Sequence, residues 1–292
     1  MNEQGFLNKR FLGLVCSSGF AGLLVIFGKP ELSIAQSQLQ IERSRYLQVE
    51  QLVGNVFIRS QNANRSARRG DLISNVGEEI VTGNGSTALL SIDTGIGFVN
   101  VSENTVVRVN SLRVTNSNGR VTSLLIPKGK VRLQVRRFTN TSSIFNVITP
   151  GVVAGVRGTE YVVNVNNEGR SVISTFDGAV QTEAQNVGVL VNKGFQNQTL
   201  LGEPPSRPVP ILDNTELEYQ VLKLFEYNGR RVILVGKVDF ANTVSVDGVE
   251  QNIDRNGQFR TELMINSGYR GEVIVKVESP SGKQRTYNLN AY

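Results

Sequence analysis

Residues 149–163 read TPGVVAGVRGTEYVV and place Arg157 three positions before Glu160 in a segment otherwise fit for strand. An arginine and a carboxylate this close invite a catalytic reading. Arginine stays charged, so it can orient or stabilise a substrate but cannot act as a base. Glu160 could form half of a glycosidase pair, which needs a second carboxylate about 5–9.5 Å away across a cleft. Asp177 is the nearest candidate in this region. Other chemistry is closed off. The chain has no histidine and one cysteine, Cys16. That excludes a Ser–His–Asp triad, a Cys–His dyad and a Cys/His metal site. The plainer reading of the segment is structural. Pro150 can begin a strand. Gly155 and Gly158 permit a bulge or close backbone contact. Arg157 can place its fork on Glu160 or on backbone carbonyls at a bend. This reading is preferred: a corner in a rolled sheet, closed by a charge pair. Catalytic residues, metal sites and cofactors are not expected. Arg157→Ala is expected to lower the melting temperature.

The elements that would position these residues are strands. Val131 to Arg136 alternates apolar with basic or polar residues, as a half-buried strand does. Its basic face, with Arg132, Arg136 and Arg137, is a candidate binding site for an anionic glycan or wall polymer; a solvated outer face is the plainer reading. Ala88–Ile92 and Val187–Val191 read as further strands. Asn118-Gly119 reads as a tight hairpin turn, and Asn167-Glu168-Gly169 as a longer one. A G-x-V triplet recurs at Gly54, Gly129 and Gly178. The unequal spacing argues against a regular solenoid and suits a rolled sheet whose strands start alike.

The N-terminus reads as an export signal. Lys9 and Arg10 precede an uncharged run from Phe11 to Phe27, and Ser33-Ile34-Ala35 offers small residues for cleavage before Gln36. An uncleaved anchor is the alternative, at the short end of the roughly 17–25 residues that span a bilayer. Export sets the expected location as the periplasm or cell surface, or the inner membrane if the signal is retained. The formal charge is +6, and residues 1–35 carry Lys9, Arg10 and Lys29 against Glu3 and Glu31. An exported basic chain points to anionic envelope polymers or to a mildly basic surface, and nucleic acid is not expected.

Residues 202–210, GEPPSRPVP, hold four prolines and read as a stiff linker that cannot join a sheet interior. Beyond it, Val232–Val238 and Val273–Val277 read as strands, and Thr215–Tyr227 is read as strand rather than helix. Asp247-Gly248 and Asn256-Gly257 supply turns. Asp254 to Gly257 lacks the later ligands of an EF-hand and also reads as a turn. Short strands at this spacing suggest a small immunoglobulin-type sandwich. The expected division is 1–35 signal, 36–201 first domain with a core at about 50–195, 202–210 linker and 211–292 sandwich.

Within this all-β chain, Phe145, Val147, Thr149, Pro150, Ala154, Gly155, Val156, Arg157, Gly158, Thr159 and Glu160 follow the pattern F-x-V-x-TP-x-x-x-AGVRGTE. Phe176-Asp177-Gly178-Ala179-Val180 follows downstream. Arg69 to Ile73 and Thr82 to Ala88 precede it. These segments, in this order, resemble the FecR domain family across roughly residues 50–195. Val101 to Thr105 departs from the family, which has a Pro- or Gly-containing turn ending in Ser there, and leaves that turn geometry open. Val238–Val244 and Asp254–Phe259 resemble the immunoglobulin-like modules of bacterial envelope proteins. The resemblance implies a rolled β-domain outside the cytoplasm that binds a protein partner. Control of a sigma factor, which other family members exert from a cytoplasmic segment, is not expected, because ten residues precede the apolar run. The expected function is a non-enzymatic binding or sensing module of the envelope. The alternatives are a structural or wall-polymer-binding protein and, behind it, a carboxylate-dependent glycan hydrolase. Contact with a membrane is expected only through the N-terminal segment, if uncleaved.

Overall fold

The computed structural model describes residues 45–61, 63–226, 229–265 and 272–290. The expected export signal, Cys16 and the polar run up to Ser44 lie outside the described residues. From Arg43 onward the chain forms one compact unit. Among the described residues the regular structure is entirely strand, and no helix is long and apolar enough to cross a membrane.

The first strands are β1 (Leu47–Val53), β2 (Val56–Arg59), β3 (Asn64–Ser66), β4 (Leu72–Ile73), β5 (Glu79–Thr82) and β6 (Thr87–Ile92). Next come β7 (Gly97–Val101), β8 (Val106–Val114), β9 (Arg120–Val135), β10 (Ile144–Ile148), β11 (Val153–Val156) and β12 (Glu160–Val165). The roll ends with β13 (Ser171–Asp177), β14 (Ala179–Ala184), β15 (Val187–Asn192), β16 (Phe195–Thr199) and β17 (Val209–Pro210). These seventeen strands make two sheets that share β9. One sheet runs β4-β1-β6-β7-β9-β12-β13-β16-β17. The other runs β3-β2-β5-β8-β9-β10-β11-β14-β15. We call them the first and second sheet. The chain passes between them in hairpins and advances sideways.

β9 explains how one strand serves both sheets. Its first half pairs with β8 and, in parallel, with β10; its second half pairs with β7 and β12. Leu124 and Ile126 face the core in the first half, and Val131, Leu133 and Val135 do so in the second. The inward parity switches between Ile126 and Val131, and such a switch moves every side chain to the other face. Gly129 makes the bend with φ +95°, and a Cβ there would stand 2.3 Å from Thr105 Oγ1. Gly54 and Gly178, the other G-x-V glycines, also have positive φ where the chain crosses between sheets. The shared triplet therefore marks the corners of the roll. In the departing segment Val101–Thr105, Asn104 takes φ 54° and supplies the left-handed residue.

The C-terminal module has a three-stranded sheet of β18 (Glu218–Glu226), β19 (Gly229–Lys237) and β22 (Gln258–Ile265). Its second sheet has β20 (Thr243–Val246), β21 (Val249–Glu250), β23 (Glu272–Glu278) and β24 (Gln284–Asn290). Val232, Leu234 and Phe259 from the first and Val244, Val275 and Val277 from the second form one core. Asp247-Gly248 joins β20 to β21 with positive φ at both residues, as a two-residue hairpin requires. The proline-rich segment does not hang free. Val209 and Pro210 pair with Gln196 and Phe195 at the outer edge of the first sheet, where a proline's missing N–H costs no interior bond.

Candidate functional site

The motif TPGVVAGVRGTE builds a turn and a corner. Thr149 to Val152 is the turn between β10 and β11, so Pro150 sits in a turn rather than at a strand start. Thr149 is buried; its Oγ1 accepts from Val152 N and from Ser171 Oγ. Gly155 lies in β11 with Asn146 alongside, and Val156 faces the core. Arg157, Gly158 and Thr159 carry the chain from the second sheet to the first. Thr159 exchanges both backbone hydrogen bonds with Val135, and its Oγ1 donates to Ala179 O. A Cβ on Gly158 would stand 2.6 Å from Arg137 Cα, and one on Gly178 2.6 Å from Gly158 O. Three corners thus stack at backbone contact. Beneath them Tyr161 is wholly buried, and burial pushes its phenol up, so it stays neutral.

The expected charge pair forms with a different arginine. Arg157 is exposed and donates from Nη2 to Thr141 O at 3.1 Å. Glu160 instead accepts at Oε1 from Arg132 Nε at 2.9 Å and Nη2 at 2.6 Å. The physical reason is register: on the outer face of the first sheet, Arg132 stands opposite Val162 in β12, one outward position from Glu160. Asp177 is directly opposite Glu160 in the ladder, yet it is 66% exposed and bonded to Lys193. These two carboxylates stand side by side on neighbouring strands of one sheet face, Glu160 already bound, so the glycosidase arrangement of two carboxylates across a deep cleft is not present at this pair.

The arginines of the basic face also separate. Arg132 lies 4.8 Å over the Phe176 ring and donates from Nη1 to Ser281 O in the C-terminal module. Arg136 and Arg137 are exposed and carry no carboxylate partner among the described residues. Arg132 therefore belongs to an interface. On the same outward face, Lys130 Nζ donates to Glu278 Oε1 at 2.7 Å and to Ser279 O at 2.8 Å. Asn164 meets Thr243, Gln196 meets Asp239, and Arg170 donates to Phe240 O. The module thus covers the outer face of the first sheet mainly with hydrogen bonds. Burial lowers the Lys130 ammonium despite Glu278 beside it. Burial would raise Glu278, but the Lys130 charge and hydrogen bond, with that of Gln284, hold its carboxyl below the usual range.

Two hollows open along this interface. One, of about 390 Å³, runs between the roll and the turn Glu278–Gln284, with Asn100, Ser102, Lys130, Arg132 and Lys276 in its walls. Lys276 has no carboxylate partner among the described residues. Near this hollow, burial first and then the Glu103 charge push the Glu250 carboxyl up. The other, of about 430 Å³, lies beside Glu168, Arg170, Glu203, Asp254 and Arg255. Arg170 is buried with its Nε unpaired, but the Asp254 and Glu168 carboxylates act on it and Glu203 pairs with Arg255, so the hollow has no net preference for an anion. Among the described residues no group of His, Cys, Asp or Glu is arranged to hold a metal ion. Sequence reasoning missed Lys130, Lys276, Glu278 and Ser281. Lys130 was legible, since it shares an outward face with Arg132; the module residues carried no local signal.

The model for the FecR protein family matches residues 78–181, from the start of β5 into β14, within the wider stretch of the motif resemblance. No curated protein matches the chain. A crystal structure of a candidate anti-sigma factor from Parabacteroides distasonis ATCC 8503 is 16% identical, with a TM-score of 0.39, over 45% of this chain and 59% of that one. A second structure of such a factor from that organism is 17% identical at the same score and coverage. A polysaccharide lyase shares 10% identity and a TM-score of 0.20 over 84% of this chain and 39% of that chain. The chain spans less than two thirds of these structures, and at such scores they carry no part of the assignment. Residues 78–181 match the FecR protein family, and the motif residues that build the corners at Gly158 and Gly178 lie within that match.

Proposed function

We propose that this chain is exported and acts, without catalysis, as a binding and sensing module in the periplasm or at the cell surface, its partner an envelope protein. One observation carries the reading. The motif residues from Thr149 to Glu160, with Gly178, are committed to turns, corners and an ion pair, whereas the hollow between roll and module keeps Lys276 uncommitted. Binding is what such a surface can do. The C-terminal sandwich is read as an immunoglobulin-like module that shapes one wall of the site. Sigma-factor control is not part of the proposal.

A second reading has its own support. Lys128, Arg136, Arg137 and Lys276 lack carboxylate partners among the described residues, which suits an anionic wall polymer. Residues 36–292 incubated with envelope extract and cross-linked test both. Recovery of one defined membrane protein, lost in Lys276→Glu, is the expected result. Retention on insoluble wall, released by salt, would favour the polymer. Retention of neither kind would overturn both.

A further inference from the structure

The roll ends in four strand edges, two for each sheet, and an open edge is a template for pairing with another chain. Three of the four are blunted. β4 is two residues long. β3 is three residues, all exposed, and its Arg65 is paired with Asp71. β17 is two residues set among Pro204, Pro205, Pro208 and Pro210. The fourth edge, β15, has none of these devices. It reads Val-Gly-Val-Leu-Val-Asn, without charge or proline. It pairs with β14 over its whole length with no bulge, and with no second strand among the described residues. Leu190 is 51% exposed and Val187 43%.

We propose that β15 docks a second copy of this chain through that copy's own β15, antiparallel and two-fold symmetric. The strand has no charge, so it meets itself without repulsion. A two-fold contact needs only one self-complementary patch. The faces restrict the register. Leu190 points outward while Val191 is in the core, so residues that oppose each other across the axis must share parity. Leu190 opposite Leu190 of the second copy meets this condition and sets the two exposed leucines side by side on the outer face. The second sheet of each roll then continues into the other. This goes beyond the proposed binding role and does not depend on it.

The test uses the full chain with Cys16→Ser, so that an added cysteine is the sole thiol. Residues directly opposite in an antiparallel pair have Cα atoms about 4.5–5.5 Å apart, within the roughly 4.4–6.8 Å that a disulfide spans. Under mild oxidation, Leu190→Cys is expected to double in apparent mass on a non-reducing gel. Val249→Cys, at a position 64% exposed on the C-terminal module, is expected to stay monomeric. A Leu190→Cys chain that melts like its parent yet cross-links no more than Val249→Cys would overturn the proposal.

Discussion

Arg132 engages Glu160, the ring of Phe176 and the carbonyl of Ser281, so one side chain ties two strands of the roll to the C-terminal module. Arg157, the more conspicuous residue in the sequence, holds one exposed carbonyl. The two should separate in thermal unfolding. Arg132→Ala is expected to cost about 1–2 kcal/mol, the sum of a half-exposed ion pair and a cation–ring contact. Arg157→Ala is expected to stay within about 0.5 kcal/mol of the parent, as surface substitutions do. Equal losses in the two variants would show that the corner rests on Arg157 after all.

At the scale of elements, the segment after β17 is fastened to the turn between β23 and β24. Asp213 accepts from Ser279 Oγ and Ser281 N, and pairs with Lys283. Burial would raise its carboxyl, but the hydrogen bonds from Lys283, Ser281 and Ser279 bring it to about 2. A depressed carboxylate contributes stability above its unfolded value that is lost as pH falls through the folded one. Glu278 shifts in the same direction. The fastening is therefore expected to hold above about pH 4 and to loosen toward pH 2. Proteolysis within residues 211–217 should rise over that interval in the parent chain and already be high at pH 6 in Asp213→Asn. The sequence foretold these strands far better than their fastenings. Alternation gave the second half of β9 and β23, and Asn-Gly and Asp-Gly pairs gave turns, because those signals are local. The partner of Glu160 and the seat of the proline segment depend on register between distant strands, which no local pattern carries.

For the molecule as a whole, the interface between roll and module turns on Lys130 and Glu278, whose side chains are 12% and 23% exposed. Removing one partner of a mostly buried pair costs about 3–5 kcal/mol, whereas replacing both by uncharged groups can be nearly neutral. Lys130→Met is expected to split the melting curve, with the module transition moving down. Adding Glu278→Gln is expected to bring the transitions back together; a double variant as unstable as the single one would refute the pairing argument. The sideways advance of the strands has a further consequence, for growth rather than stability. The strands meet chiefly their own sheet neighbours, with β15 also touching β13 and β16 of the facing sheet, and in neither sheet does a later strand insert between two earlier ones. A hairpin could be added or deleted at the β15 end without disturbing the register of those before it, as in repeat arrays whose terminal units act as caps. The length of the roll is thus a free variable, bounded by whichever element closes its last edge.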